Sequence, residues 1–168
     1  KTDLSFKMSV NNFCKSFFKY SNVIYKKNKY EDWYKYIKTI KKKYPVVPKK
    51  PLMIKNSINP YLFFNDLDKF VSKSENIFVD TGSTIAWIMQ AFKFNSKIRV
   101  MHDFNNTAMG YALPASIGGI LAGKNKHVTC VVGEGSFMMN IQELSTIQRF
   151  KLPINIILIN NNGYSMVK

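Results

Sequence analysis

The sequence contains few of the residues that form disulfides or transition-metal sites. Its 168 residues include 2 cysteines and 2 histidines. Cys14 and Cys130 are too widely spaced to indicate a disulfide framework. Cys130 lies in an apolar, strand-like run, where we expect a small core residue. His102 and His127 lack the spacing of metal ligands, so we assign neither of them a catalytic role.

Long apolar runs are also absent. No apolar stretch approaches the roughly 20 residues that a membrane-spanning helix needs, and no signal peptide opens the sequence. The apolar runs that do occur have the length of strands. We therefore expect a cytoplasmic protein that does not have a membrane as a partner.

Arginine is scarce although the chain is strongly basic. The formal net charge is +15, which by itself would suggest a nucleic-acid surface. Residues 1–55 hold 15 lysines against 3 acidic residues, whereas residues 56–168 hold 10 basic and 7 acidic residues. Arg99 and Arg149 are the only arginines, although specific readers of phosphates and bases favour the forked guanidinium. We interpret the lysines as a solvated surface and do not expect nucleic acid as a partner.

A lysine- and aromatic-rich segment precedes the rest of the sequence. Apolar residues at helical spacing predict one helix over residues 10–20 and a second over residues 30–44. A proline-punctuated connector follows, and it is biased to extended structure. We therefore predict a domain boundary between residues 1–51, a helical linker region, and residues 52–168. Because the sequence lacks an initial methionine and stops just after a strand and a turn, we expect it to be cut from a longer protein.

Residues 52–168 alternate between helix and strand patterns. Apolar runs predict strands over residues 76–79, 97–101, 127–132 and 154–159. Helical spacing predicts helices that start at residue 59 and over residues 84–92, 108–122 and 137–150. Uniformly apolar strands that alternate with helices predict an α/β fold, a parallel sheet with helices on both faces, which the end of the sequence truncates. In the helix that starts at residue 59, we expect Asn59 to cap the N-terminus. Its apolar face is predicted to consist of Leu62, Phe63, Leu67, Phe70 and Val71.

Two polar, glycine-containing loops follow neighbouring strands of this pattern. Residues 133–136, Gly-Glu-Gly-Ser, come after one strand and open a helix, and residues 160–163, Asn-Asn-Asn-Gly, come after the next strand. In a right-handed βαβ unit both loops lie at the carboxyl ends of the strands. Open α/β sheets bind ligands at that edge.

The two loops offer complementary chemistry. Glu134 provides a carboxylate, Asn161 an amide oxygen, and Gly163 allows a backbone carbonyl to turn toward the same point. Such oxygen ligands suit Mg²⁺, which usually also binds phosphate oxygens and water. Gly135 and Ser136 lie at a helix N-terminus, where N–H groups favour a diphosphate. The sequence therefore predicts a Mg²⁺–diphosphate site.

Other phosphate-binding motifs fit these residues less well. A P-loop ends in Gly-Lys-Ser/Thr, whereas Gly135 is followed by Ser136 and Phe137. A dinucleotide fingerprint needs a third glycine at the position that Met138 occupies. A Gly-Glu-Gly sequence on its own is more often a tight strand-to-helix turn with a solvated Glu134. The interpretation thus depends on the pairing with the asparagine-rich loop.

That pairing resembles the Gly-Asp-Gly…Asn-Asn signature of thiamine-diphosphate-dependent enzymes, with Glu134 at the aspartate position. Over residues 57–168 the sequence is similar to the acetolactate synthase (acetohydroxyacid synthase) large-subunit group in particular. The segments that carry this similarity are residues 80–82 with Trp87, 90–92, 108–115, 136–146, 152–159 and 162–166. Residues 1–20 resemble the end of that family's central domain. The chain is therefore expected to hold most of the C-terminal diphosphate-binding domain.

The resemblance implies thiamine diphosphate and Mg²⁺ as cofactors and 2-keto acids as substrates. It implies decarboxylation of a 2-keto acid, pyruvate in the first place, and carboligation to a second carbonyl. The implied cofactor contacts are Gly82, Ser83, Thr84, Met109, Gly133, Gly135, Ser136 and Asn161. The implied metal ligands are Glu134, Asn161 and the backbone of Gly163. Met109 stands where the family has a large apolar residue that supports the cofactor in a bent shape.

The resemblance places the glutamate that activates the cofactor in an N-terminal domain of a partner subunit. No segment of this sequence matches that domain, so we assign no catalytic residue and expect the chain alone to be inactive. A dimer or tetramer with active sites at the subunit interfaces is implied. A flavin (FAD) is compatible with the family, but its site would lie mostly upstream, so this sequence does not decide its presence.

Two alternatives stay open. The first is another thiamine-diphosphate-dependent 2-keto acid decarboxylase or lyase on the same scaffold. The second is a degenerate, non-catalytic domain that keeps the fold but binds metal poorly. Glu134 motivates the second alternative, because its extra methylene group displaces the carboxylate and Mg²⁺ tolerates poor octahedral geometry badly.

Overall fold

The computed structural model describes residues 3–24, 30–47, 55–71, 76–95, 97–123, 127–164 and 166–167. The chain divides into two compact units, Lys1–Pro45 and Val46–Lys168. The domain boundary that the sequence predicts at residue 51 lies outside the described residues and stays a prediction.

The first unit contains two helices, α1 (Val10–Ile24) and α2 (Glu31–Lys43). Both helices were predicted, and α1 extends four residues beyond its predicted end at residue 20. Acidic residues lie in the first turn of α2 and three lysines in its last turn, which suits the helix dipole at both ends. No residue of α2 is buried, so within this unit the helix has little packing to hold it.

The second unit contains a four-stranded sheet and five helices among the described residues. The strands lie side by side in the order β2-β1-β3-β4, and every neighbouring pair is parallel. No helix in the described part of the chain is long and apolar enough to cross a membrane. The elements in chain order are α3 (Pro60–Leu67), β1 (Asn76–Val79), α4 (Ser83–Ala91), β2 (Arg99–Met101), α5 (Ala112–Leu121), β3 (Val128–Gly133), α6 (Glu134–Met139), α7 (Glu143–Phe150) and β4 (Ile154–Ile159).

Helices cover both faces of the sheet, because successive strand residues point to opposite sides. Ile77 and Val79 of β1 pack in one core with α3 and α4. Phe78 and Cys130 pack in a second core with α5. Burial raises the pKa of the Cys130 thiol to about 12, so the thiol stays protonated and serves as a core residue. The predicted α/β fold with helices on both faces is confirmed.

Helix α3 begins as predicted but buries a different set of side chains. Asn59 caps the helix, since its side-chain oxygen accepts two backbone N–H groups at 3.0 and 3.3 Å. The helix ends at Leu67, and Phe70, placed on the apolar face by the sequence, is 83% exposed. The prediction for Phe70 is wrong because the helical periodicity stops before that residue. Phe64, which the sequence did not place on the apolar face, is fully buried instead.

Two predicted helices have different bounds. The helix predicted over residues 108–122 begins only at Ala112, since Gly110 has a left-handed backbone with φ +83°. The helix predicted over residues 137–150 is two helices, α6 and α7. Helix α6 ends at Met139, because the φ of −133° at Asn140 is not helical. Both departures lie beside the cavity described below.

Candidate functional site

The register of β3 and β4 places the two polar loops next to each other. Gly133, the last residue of β3, pairs with Ile159, the last residue of β4. Glu134 follows Gly133 directly and Asn161 follows Ile159 after one residue. Because these parallel strands end at paired residues, both loops begin at the same point of the sheet edge.

Glu134 and Asn161 meet at a single backbone group. The N–H of Gly163 donates to Oε1 of Glu134 at 2.7 Å and to Oδ1 of Asn161 at 3.2 Å. A carboxylate oxygen and an amide oxygen thus lie within 3.2 Å of the same backbone nitrogen. Gly163 takes part here through its N–H group, and its role as a backbone oxygen ligand stays a prediction.

All ten residues that the sequence assigns to cofactor or metal surround one cavity of about 300 Å³. The cavity lies at the carboxyl ends of β1, β3 and β4. Further lining residues to which the sequence gave no role include Trp87, Thr107 and Tyr164. The ten predicted residues are Gly82, Ser83, Thr84, Met109, Gly133, Glu134, Gly135, Ser136, Asn161 and Gly163.

Three of the lining glycines have different surroundings. A Cβ built on Gly82, which has φ +102°, would meet no atom within 4 Å, and one on Gly133 would meet only the carbonyl oxygen of Ile159 at 4.0 Å. The backbone at these two positions is open to a ligand. A Cβ on Gly135 would overlap the ring of Tyr164. Gly135 therefore gives room to a side chain that connects the β4 loop to α6.

Helix α6 begins at Glu134 and is six residues long. Gly135 and Ser136 consequently lie in its first turn, where N–H groups have no partner within the helix. A helix of this length has a small macrodipole. Helix α6 could therefore bind an anion mainly through these two N–H groups, with a minor contribution from the helix dipole.

Two further residues, Asp80 and Asn140, support the site although the sequence indicated no role for them. Asp80 is fully buried, and its carboxylate accepts the backbone N–H groups of Gly110 at 3.0 Å and Ala112 at 2.8 Å. Nδ2 of Asn140 donates to the carbonyl oxygen of Gly110 at 2.7 Å. These bonds fix the segment that contains Met109. A carboxylate directly after the buried strand β1 could have indicated Asp80, whereas nothing near Asn140 in the sequence distinguishes it.

The donor set fits a divalent cation that arrives with its own phosphate oxygens. Among the described residues, no group of three or more His, Cys, Asp or Glu could hold a metal ion. Glu134 is the one carboxylate among the described lining residues. Mg²⁺ commonly binds through one or two carboxylates together with substrate phosphates and water. One carboxylate and one amide oxygen beside an open glycine backbone are thus suited to Mg²⁺–diphosphate.

A parallel sheet whose strand ends surround such a cavity defines an α/β cofactor-binding domain. Residues 80–168 match the family described as "Thiamine pyrophosphate enzyme, C-terminal TPP binding domain". The chain belongs to this thiamine pyrophosphate (thiamine diphosphate) enzyme family. The match lies within residues 52–168, the region that the sequence predicted to be the diphosphate-binding domain.

Similar proteins are large subunits of acetolactate synthase. The large subunit from Porphyra purpurea is 38% identical over 137 residues, which are 81% of this chain and 22% of that protein. The isozyme 1 large subunit of Escherichia coli (strain K12) is 31% identical over 137 residues, which are 81% of this chain and 24% of that protein. The isozyme 2 large subunit is 37% identical over 89 residues, covering 53% of this chain and 16% of that protein. The chain therefore spans less than a quarter of the length of these relatives.

Proposed function

We propose that this chain supplies the Mg²⁺–diphosphate half of an active site that decarboxylates a 2-keto acid, pyruvate in the first place, and joins the product to a second carbonyl. The observation that supports it most is the meeting of Glu134 and Asn161 on the N–H of Gly163. Membership of the thiamine pyrophosphate enzyme family and the names of the similar proteins support the cofactor and the reaction class.

Different residues of the cavity would contact the cation, the diphosphate and the organic moiety of the cofactor. Glu134 and Asn161 would hold Mg²⁺, and the open backbone at Gly82 and Gly133 would face the diphosphate. Met109, on the cavity wall, would support the organic moiety. When bound, thiamine diphosphate supplies an electron sink for the pair released as CO₂ leaves. The chain's own contribution is to orient the cofactor and to exclude water from it.

The intact protein would provide the residue that activates the cofactor, which this cavity lacks. From the family resemblance we propose that a glutamate of a partner subunit activates the cofactor. The intact protein would then be a dimer or tetramer in the cytoplasm, and this chain alone would be inactive. The described lining residues do not distinguish among 2-keto acids, so another decarboxylase or lyase of the same family is the alternative.

A degenerate, non-catalytic domain is the second candidate, and one bond favours it. Oε1 of Glu134 accepts a backbone N–H at 2.7 Å, a bond that holds one carboxylate oxygen on the protein. A cation has to share that oxygen or use the other one. Binding of Mg²⁺ and cofactor to the intact protein separates this candidate from the enzyme.

We therefore expect thiamine diphosphate to bind the intact protein only when Mg²⁺ is present, as measured by calorimetry. Asn161→Ala removes an amide oxygen from the site and should lower the apparent affinity for Mg²⁺ about 10-fold or more, with an unchanged melting temperature. Asn155→Ala is the matched control, because Asn155 is an exposed asparagine in β4. Cofactor binding that needs no Mg²⁺, or Asn161→Ala binding like the unchanged protein, would refute the metal assignment.

A further inference from the structure

We propose that Asp80 and Asn140 are positioning residues that grip Gly110 from two sides and thereby hold Met109 at the cavity wall. We call Asp80, Gly110 and Asn140 together the Gly110 clamp. This inference rests on the proposed function, in which Met109 supports the organic moiety of the cofactor. Neither Asp80 nor Asn140 lines the cavity, so both act through the backbone beside Met109.

The first half of the clamp is a buried carboxylate that binds backbone N–H groups. Asp80 is fully buried, and its Oδ1 accepts the N–H of Gly110 at 3.0 Å, while its Oδ2 accepts the N–H of Ala112 at 2.8 Å. Oδ1 also accepts the N–H of Thr81 at 2.9 Å. Both oxygens of the carboxyl group therefore have backbone partners. The end of β1 is thus firmly connected to the segment that precedes α5.

The second half of the clamp comes from the end of α6. Nδ2 of Asn140 donates to the carbonyl oxygen of Gly110 at 2.7 Å, so both polar groups of the Gly110 backbone are bonded. A Cβ on Gly110 would lie 2.7 Å from Nδ2 of Asn140 and 2.9 Å from Cβ of Met139. With φ +83°, the position suits glycine alone.

Met109 depends on these backbone bonds because its own side chain is packed weakly. It is 39% exposed, and an unbranched thioether has three rotatable bonds. The same clamp connects Met109 to the two regions proposed to bind the diphosphate and the cation, the β1 loop with Gly82 and helix α6 with Glu134. A binding group that is fixed before the ligand arrives loses less conformational entropy on binding. The clamp therefore sets the distance between the support for the organic moiety and the diphosphate site.

The test compares two ligands in the intact protein by calorimetry, Mg²⁺ with thiamine diphosphate and Mg²⁺ with inorganic diphosphate. Asn140→Ala should lower the affinity for Mg²⁺ with thiamine diphosphate about 3- to 10-fold, the effect of one lost hydrogen bond. The affinity for Mg²⁺ with inorganic diphosphate should be unchanged. Asn155→Ala, an exposed position in β4, should change neither. Asn140→Ala should also speed hydrogen exchange at the amide of Gly110 without any ligand present.

A double variant separates positioning from a general structural role. If Asn140 acts through Met109, Asn140→Ala combined with Met109→Ala should bind thiamine diphosphate no more weakly than Met109→Ala alone. Three results would overturn the clamp. The first is that the losses of thiamine diphosphate affinity add in the double variant. The others are that Asn140→Ala weakens the binding of both ligands equally, or that it binds both normally. If the unchanged protein binds neither Mg²⁺ ligand, the proposed function fails and the clamp's role in binding fails with it.

Discussion

Glu134 differs from the aspartate of the family signature by one methylene group, and its longer side chain reaches the loop after β4. Its Oε1 accepts the N–H of Gly163 at 2.7 Å, so the side chain connects the ends of β3 and β4 directly. An ionised carboxylate has about four lone-pair sites, and one hydrogen bond leaves the others for a cation. The substitution is therefore compatible with metal binding, although the carboxylate is already held by the protein.

Glu134→Asp tests how the loop has adapted to the longer side chain. The shorter aspartate loses reach to the N–H of Gly163 but restores the length that the family signature has. We expect the Mg²⁺ dependence of cofactor binding, measured by calorimetry on the intact protein, to be preserved or improved. Glu143→Asp, the same change in the first turn of α7, should leave binding unaltered. A loss of metal affinity of about 10-fold or more in Glu134→Asp would mean that the loop geometry requires the glutamate.

At the scale of the elements, continuous apolar runs were enough to locate strands. β1 and β4 have the bounds that the sequence predicted, 76–79 and 154–159, because each run is bounded by polar or turn-forming residues. The helices near the cavity were harder to predict. Gly110 lies before α5 and Asn140 directly after α6, and both take part in hydrogen bonds with residues about 30 positions away. Helical periodicity contains no information about such partners, so the predicted helices continued through both residues.

Helix α5 illustrates the close packing that its small residues allow, and it offers a matched pair of variants. A Cβ on Gly119 would lie 2.5 and 2.6 Å from ring atoms of Phe78 in β1, whereas a Cβ on Gly118 would meet nothing within 4 Å. Gly119→Ala should force α5 away from the sheet and lower the free energy of unfolding by about 1–3 kcal/mol. Gly118→Ala should raise it by roughly 0.5–1 kcal/mol, since alanine favours the helix.

Denaturant unfolding of the intact protein, compared between these two variants, measures the difference. Equal stability of Gly118→Ala and Gly119→Ala would contradict the contact between α5 and β1. A lower stability confined to Gly119→Ala is the result that the packing predicts.

At the scale of the whole second unit, the site follows from topology. Once β3 and β4 are adjacent and parallel, the loops after Gly133 and Ile159 must emerge together, so the convergence of Glu134 and Asn161 could be predicted from the order of strands and loops. The bond from Gly163 to Glu134 and the buried Asp80 could not, because they depend on how side chains fill the space between those loops. The structure therefore brings the predicted residues to one cavity, their roles in binding stay predictions, and the sequence did not indicate the contacts that support them.

We propose that Glu134 and Asn161 bind one divalent cation together with the diphosphate of the cofactor. Mn²⁺ uses the same oxygen ligands as Mg²⁺ and can be located by its anomalous X-ray scattering. In crystals of the intact protein with Mn²⁺ and thiamine diphosphate, we predict one anomalous peak about 2.1 Å from oxygens of both Glu134 and Asn161. Bound cofactor with the Mn²⁺ peak elsewhere, or with no peak between these two side chains, would contradict the account.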